Sequence, residues 1–198
     1  MENLVVHRIV EEHAAASADL TALDHDGVRL TYRELNVRAN GLARQLVDAG
    51  FRRGGHLMIA TRHGNDLATV LFAVLKAGGA YTWQAPGALP WQAAFAASPG
   101  HDLQTYQPID LPSILQQAPR TSPNLPVLTR PSDLACVLPA DEQRQLFVPH
   151  STIAALRREV PPPTQVWDGE PGTFDLWAGL MSGSTLSVAM PPALRDAA

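Results

Sequence analysis

The chain has 198 residues, of which 45% are hydrophobic and 17% are charged, and this composition predicts one soluble domain with a packed core. It excludes a disordered segment, and the single cysteine excludes a disulfide scaffold. The net charge of −4, with scattered arginines, excludes nucleic acid as a partner. Because the longest apolar run, Leu67–Leu75, is far shorter than the roughly 20 residues that span a bilayer, and because the first residues are acidic where a signal peptide is basic, we expect no membrane partner and a cytoplasmic location.

The first 85 residues contain no proline and carry clear signals for regular structure. Apolar residues at helical spacing predict an opening amphipathic helix. Asp26 and Gly27, between two short apolar runs, are the usual signal of a β-hairpin. Thr31 and Glu34 then form the pattern of a capping box, which begins a long helix that Gly50 ends.

A strand, a helix and a second strand follow in close succession. The strands are predicted at Leu57–Ala60 and Tyr81–Trp83, and the helix between them is capped by Asn65 or Asp66 and continues to Lys76. Short connections in this order are typical of a βαβ crossover. The sequence therefore predicts an α/β fold with a mostly parallel sheet flanked by helices.

All 17 prolines lie at or after Pro86, where the signals weaken. Trp91–Ala97 is compatible with a helix, and Gly100–Pro131 is predicted to be a proline-rich connection. Regular structure returns later, with strands predicted at Leu134–Leu138, Val166–Trp167 and Thr185–Ala189, and helices at Ser151–Glu159 and from Phe174.

Two segments of the proline-free half resemble core motifs of nonribosomal peptide synthetase adenylation domains. LTYRELNVRANGLARQLVDAG, residues 30–50, resembles the first core motif, and LFAVLKAGGAY, residues 71–81, resembles the second. In that family these motifs build the first helices and strands of the large N-terminal subdomain and do not touch the reacting atoms. The resemblance implies a single truncated domain over 1–198, with a well-matched scaffold at 1–85 and a degenerate remainder at 86–198.

The family's phosphate-binding loop, TSGSTGxPKG, has no counterpart here. Its flanks are similar to LACVL from Leu134 and VPHSTI from Val148, but PADEQRQLF stands between them, without glycine or lysine. A loop that wraps phosphates needs glycines, so that backbone N–H groups turn inward, and a cation, whereas Asp141 and Glu142 repel phosphate. The family's second catalytic lysine, near its C-terminus, also lacks a counterpart. We therefore expect no adenylation, no catalytic residue and no cofactor.

Asp175 is the one candidate binding residue. Phe174-Asp175 and LMSGSTL from Leu180 resemble the two ends of the next family motif, with several residues missing between them. The resemblance implies that Asp175 holds the α-amino group of an amino-acid substrate. The alternative is an aspartate that is favoured at a helix N-terminus by the helix dipole. For Lys76 the alternatives are a cation near the carbonyls of a helix end and a catalytic base.

For the other residues of reactive type we expect structural roles. Cys136, in an apolar stretch, is expected to be a buried small hydrophobe rather than a nucleophile. His150 stands where the family also places histidine, which indicates inherited architecture. The histidines lack the spacing of a metal-binding pair, and no Gly-x-Ser-x-Gly occurs, so neither a metal site nor a serine hydrolase is predicted.

These expectations favour a catalytically inactive, adenylation-like domain that acts as a structural or docking element in nonribosomal peptide biosynthesis. Two alternatives stay open: the N-terminal piece of a split adenylating enzyme completed by another polypeptide, and a non-catalytic amino-acid-binding module that uses Asp175. A shortened domain exposes apolar surface that the complete domain buries, and such patches mark interfaces. The expected partners are condensation, carrier or tailoring domains, or a second copy of the chain.

Overall fold

The computed structural model describes residues 4–59, 64–83, 93–96, 107–109, 122–126, 129–139, 145–157, 164–168 and 174–188. In these residues, helices pack between and around two mixed sheets, which confirms the α/β class. The helices are α1 (Val6–Ala16), α2 (Tyr32–Asp48), α3 (Asn65–Lys76), α4 (His150–Ala154) and α5 (Asp175–Ser182). The strands are β1 (Thr21–His25), β2 (Val28–Thr31), β3 (His56–Ile59), β4 (Ala80–Trp83), β5 (Ala93–Ala96), β6 (Gln107–Ile109), β7 (Leu134–Pro139), β8 (Gln145–Pro149), β9 (Thr164–Trp167) and β10 (Thr185–Val188).

The first sheet joins the beginning of the chain to its last described strands. Its strand order is β2-β1-β10-β9, with β1 parallel to β10 and β10 parallel to β9. Leu23 lies opposite Leu186 in the register of β1 and β10. The N-terminal hairpin is therefore completed by strands from the half of the chain in which the family resemblance weakens.

The second sheet contains the predicted βαβ crossover. Its strand order is β6-β5-β3-β4-β7-β8, and β3, β4 and β7 run parallel to their neighbours in this group. Strands β5, β6 and β8 are antiparallel and lie toward the edges. The predicted parallel pairings are thus central, and antiparallel strands extend the sheet on both sides.

The expected helix at Trp91–Ala97 is wrong where the structure describes this segment. Ala93–Ala96 form a strand that pairs antiparallel with β3, placing Ala94 opposite Met58. Helix propensity is a weak prior, and the free edge of β3 offers this short alanine-rich run a complete set of backbone hydrogen bonds. The predicted connection at Gly100–Pro131 likewise contains β6, whose Pro108 is tolerated because β6 is an edge strand.

Two helix boundaries also differ from the sequence predictions. Helix α3 has Gly64 as its N-cap, with φ 108°, and no capping by Asn65 or Asp66. The Asn65 side-chain amide instead donates to the Val28 carbonyl, at 2.9 Å, and so ties the start of α3 to the hairpin. Helix α4 ends at Ala154, while the predicted endpoint at 159 and the strand ends at 60 and 189 lie outside the described residues.

The strongest local predictions are confirmed. Asp26 and Gly27 both have positive φ, 51° and 79°, as a tight hairpin requires. At the start of α2 the Thr31 hydroxyl accepts from the Glu34 backbone N–H, and the Thr31 backbone N–H donates to Glu34 Oε2 at 2.8 Å. Gly50 follows the helix with φ 100°.

Helix α3 lies at the centre of the core. Of its residues only Asp66 is exposed, and the helix contacts β1 of the first sheet and β4 of the second. A helix that is apolar on all sides must be buried on all sides, so α3 dictates a layer of structure on each face. Among the helices of the described residues, none combines the length and apolar character needed to cross a membrane.

The capping box gives a first test of this description. We expect Thr31→Ala to lower the free energy of unfolding by about 1 kcal/mol, because it leaves a backbone N–H at the start of α2 without its partner. Urea unfolding followed by circular dichroism measures the change. Thr152→Ala, at an exposed position in α4, is the matched control and should leave the midpoint unchanged; equal midpoints for both variants would contradict the capping role.

Candidate functional site

Strands β7 and β8 contain the two segments that resemble the flanks of the family's phosphate-binding loop. Both strands are formed, and Leu138 lies opposite Leu146 in their antiparallel register. The connecting residues 140–144, which include the two predicted repelling carboxylates, lie outside the described residues. The flanks that the sequence identified therefore do form the two arms of one hairpin.

Asp175, the predicted substrate-binding residue, is the first residue of α5 and is exposed. Phe174 precedes it in the left-handed region, with φ 59°, a conformation that is uncommon for a bulky residue and is held here by packing of its ring against the core. Lys76 and His150 are buried and take their polar partners from α1. Asp175 is thus exposed at the start of α5, whereas Lys76 and His150 lie in the interior.

Lys76 forms a buried ion pair with Glu11 of α1. Its side chain has no exposed surface, and its ammonium lies 4.5 Å from the centroid of the Phe72 ring. Burial lowers the pKa of Lys76 to about 8, while the charge of Glu11 acts in the opposite direction. Although Lys76 does lie in the last turn of α3, its partner is a carboxylate of another helix rather than the carbonyls of the helix end.

Glu11 is shared between two cations. Its Oε1 accepts from Lys76, and its Oε2 accepts from the Arg8 guanidinium at 3.1 Å. Glu11 is buried, so each of its oxygens needs such a donor. Both oxygens of Glu11 therefore have donors, and the Lys76 ammonium is enclosed away from solvent. Lys76 is accordingly a structural residue and not a catalytic base.

Two buried histidines lie beside this ion pair. His7 of α1 and His150 of α4 make an edge-to-face contact with ring centroids 5.6 Å apart. His150 Nδ1 accepts a hydrogen bond from the Val6 backbone N–H at 3.3 Å. Burial lowers the pKa of His150 to about 4, although the nearby Asp133 carboxylate acts to raise it. Burial, followed by the charges of His150, Lys76 and Arg8, holds the pKa of His7 well below its usual range.

The sequence prediction missed the polar members of this cluster on α1, His7 and Glu11. His7 and Glu11 are four residues apart and therefore lie on one face of the helix, together with the buried Val10 and Ala14. Two polar residues at helical spacing within an apolar stripe were the available signal. The partner of Glu11 is 65 positions away along the chain and could not be read from that spacing.

Cys136 confirms the prediction of a buried small hydrophobe. It lies on β7 opposite Tyr81 of β4, and burial raises the pKa of its thiol to about 12. The Tyr81 hydroxyl accepts a hydrogen bond from the Trp177 indole N–H at 2.8 Å. A thiol protonated at neutral pH and enclosed by aromatic side chains is not a nucleophile. In the described part of the chain, no group of three or more His, Cys, Asp or Glu is arranged to hold a metal ion.

The two sheets around a buried helix have counterparts among proteins of known sequence and structure. Residues 10–98 match the family described as AMP-binding enzyme. The chain is 28% identical to surfactin synthase subunit 2 of Bacillus subtilis over 225 aligned residues, which cover 99% of this chain and 6% of that protein.

Solved structures give the same fold. The Klebsiella oxytoca NpsA N-terminal subdomain in complex with 3-hydroxyanthranilyl-AMSN superposes with a TM-score of 0.79 at 20% identity, over 98% of this chain and 56% of that one. NpsA-ThdA, an artificially fused adenylation-PCP di-domain from the same organism, gives 0.77 at 21% identity, over 98% and 41%. The chain therefore spans only part of each of these relatives. It is a relative of nonribosomal peptide synthetase adenylation domains and has the fold of part of their N-terminal subdomain, so the resemblance inferred from its motifs is confirmed.

The buried ion pair can be tested by removing its partners singly and together. We expect Glu11→Gln to lower the free energy of unfolding by about 3–5 kcal/mol, because it leaves the Lys76 charge buried without an anion. The double variant Glu11→Leu/Lys76→Met should recover much of this loss. Chemical denaturation measures each value.

The exposed ion pair of Arg33 and Asp19 provides the matched control. Asp19→Asn should change the free energy of unfolding by less than about 1 kcal/mol, since exposed pairs contribute little. An effect of Glu11→Gln as small as that of Asp19→Asn would show that the Lys76 charge is not confined in the core.

Proposed function

We propose that the chain is a catalytically inactive, adenylation-like domain that serves as a structural or docking element in nonribosomal peptide biosynthesis. The observation that carries the proposal is the β7–β8 hairpin: both arms are formed, while the sequence that joins them lacks the chemistry of a phosphate-binding loop. The scaffold is maintained where packing requires it, and the reactive loop is not.

The connection between β7 and β8 is unsuited to a triphosphate. Residues 140–144 read ADEQR, so two carboxylates stand against one guanidinium and no glycine is present. Backbone N–H groups converge on phosphate oxygens only where the chain turns through conformations that glycine supplies. The field of this loop would oppose the build-up of negative charge in the transition state rather than stabilise it.

The lysine content of the chain is also unsuited to adenylation. Lys76 is the only lysine of the chain, and its ammonium is buried and paired with Glu11. An adenylating enzyme of this family needs ammonium groups that reach the phosphates and the carboxylate of its substrate. To free Lys76 for that purpose would require opening the contact between α1 and α3.

The docking part of the proposal is supported by strand β8. It is the last strand of the six-stranded sheet, and Leu146 and Phe147 are 53% and 55% exposed on it. Successive strand residues point to opposite faces, so these side chains present apolar surface on both sides of the edge. Residues 145–148 carry no charge and no proline, the devices that usually protect a sheet edge from other chains. The β8 edge therefore fits a protein partner.

A nonribosomal peptide synthetase domain is the partner we propose for the β8 edge. Condensation, carrier and tailoring domains are the candidates, because the structural relative NpsA-ThdA is described as an adenylation-PCP di-domain. A second copy of this chain is the alternative occupant. Either partner would cover the exposed apolar side chains of Leu146 and Phe147.

The inactivity is tested by amino-acid-dependent pyrophosphate exchange with ATP and Mg²⁺. We expect the isolated chain to give no exchange with any of the standard amino acids, and ATP to leave its melting temperature unchanged, because no group cradles the phosphates. Exchange by the isolated chain would overturn the proposal. Exchange that appears only when a second polypeptide is added would favour the split enzyme instead.

The same melting experiment separates the binding-module alternative. An amino acid that raises the melting temperature of the chain but not of Asp175→Asn would favour a non-catalytic amino-acid-binding module. Because Asp175 is exposed, the substitution should not alter the melting temperature of the unliganded chain. We expect no amino acid to distinguish the two proteins.

The docking role is tested by changing the β8 edge. We expect the tagged wild-type chain to capture a nonribosomal peptide synthetase polypeptide from its native cells. The double variant Leu146→Ser/Phe147→Ser should capture at least tenfold less of this polypeptide, as quantified by mass spectrometry. The matched control is Val28→Ser, which removes a 62% exposed side chain from an edge strand of the other sheet. Light scattering reports whether the partner is a second copy. Equal capture by both variants, or a monomer that recovers no synthetase polypeptide, would refute the β8 edge as a docking surface.

A further inference from the structure

Helix α1 is attached to the rest of the core through the buried apolar side chains of Val6, Ile9, Val10 and Ala14 and through several buried polar contacts. The Val6 backbone N–H donates to His150 of α4, and Glu11 pairs with Lys76 of α3. His7 packs edge-to-face on His150 between these two attachments. Near the end of α1, His13 Nε2 donates to the Met181 carbonyl of α5 at 2.9 Å. The polar part of the attachment of α1 thus depends on the protonation states of adjacent buried side chains.

The hydrogen bond from Val6 fixes the state of His150. Because Nδ1 accepts this bond at 3.3 Å, Nδ1 carries no proton, and the ring of a neutral histidine then carries its proton on Nε2. Protonation of Nδ1 would convert the acceptor into a donor that faces another donor. The first backbone N–H of α1 would lose its partner.

Among the described residues, the carboxylates Glu11 and Asp133 near the histidine pair already have cationic partners. On α1, Glu11 is already shared by Arg8 and Lys76, so this group carries a net positive charge before either histidine is protonated. Arg44 of α2 also acts on Lys76 and adds to the positive potential.

Asp133 is the carboxylate that faces His150 from the other side. It is held by the Arg53 guanidinium at 2.8 Å and by the Arg130 backbone N–H at 2.9 Å. It is also partly exposed, so water screens its charge. A third cation in the buried cluster would therefore have no dedicated partner.

We propose that His7 and His150 form an acid-sensitive latch that holds α1 against α3 and α4, and that protonation of this pair releases α1 while the core of α2 and α3 stays folded. The latch is independent of the proposed docking role. It is a regulatory device of the fold, in which acidification exposes the apolar face of α1 and the surface that it covered.

The sign of the effect follows from linkage. His150 has a pKa of about 4 in the docked state, below the ordinary value of 6.5, so the released state binds the proton more tightly. The docked state is therefore fully stable above pH 6.5 and loses stability as the pH falls from 6.5 toward 4. Each pH unit in this window can favour release by up to about tenfold for each histidine.

Hydrogen–deuterium exchange measured by mass spectrometry tests the latch on the full chain. After correction for intrinsic exchange rates, we expect amides of α1 to exchange at least tenfold faster at about pH 5 than at about pH 7.5, whereas amides in the middle of α2 keep their protection. Loss of protection in both helices together would mean acid unfolding of the whole domain and would overturn the proposal, as would unchanged protection of α1.

Variants identify the group responsible. His150→Asn keeps an oxygen acceptor near the position of Nδ1 and cannot be protonated. The ratio of α1 exchange rates at about pH 5 and about pH 7.5 should therefore be at least threefold smaller in this variant than in wild type. The matched control is His56→Asn on β3, where burial also lowers the histidine pKa but the side chain is not part of the α1 attachment. An unchanged response in His150→Asn, or the same loss in His56→Asn, would refute the assignment.

A spectroscopic measurement on wild-type protein keeps the proposal testable if His150→Asn does not fold. Ring resonances of His7 and His150 in an NMR titration should stay at their neutral positions until the pH at which α1 amides lose protection. A His150 ring that titrates near pH 6.5 while α1 stays protected would show that the fold tolerates the charge, and the latch would be excluded.

Discussion

The burial of α3 between two sheets is the constraint on which the rest of the structure depends. Its apolar side chains point in every direction, and Asp66 is its only exposed residue. Such a helix has no stable place except an interior one, so strands β1 and β4 and helices α1 and α2 must cover it. These four elements all lie within the first 83 residues, and α5 from the second half of the sequence also reaches α3, where the ring centroids of Trp177 and Phe72 are 6.4 Å apart.

Packing and chemistry make separate demands on this scaffold. Leu23 lies opposite Leu186 of β10, and Tyr81 is hydrogen-bonded to Trp177. Such close-packed interior contacts cannot be altered without loss of stability. A connection between two paired strands contributes little to stability, so its sequence can change while β7 and β8 stay paired. A chain can therefore keep the fold of part of an adenylation domain with a different sequence between β7 and β8.

Much of the fold could be predicted from the sequence where local chemistry dictates local geometry. The Asp26-Gly27 turn, the Thr31 capping box and the βαβ order each follow from neighbouring residues, and all three are present. The β5 strand could not be predicted, because a run of alanines acquires its structure from the edge of β3. The same holds for the site: a lysine in LKAGG gives no sign of Glu11, and only the fold shows that the two charges meet.

The confinement of Lys76 has a consequence for the chain's reactivity toward acyl donors. Assembly lines that work through activated acyl groups contain adenylates and thioesters, which transfer their acyl group to unprotonated primary amines. Of the 15 lysine and arginine side chains, all except Lys76 are arginines, whose guanidinium is protonated at all physiological pH values and does not accept an acyl group. Because its one ε-amino group is buried beneath the Phe72 ring and paired with Glu11, the folded chain presents no lysine amine to such acyl donors.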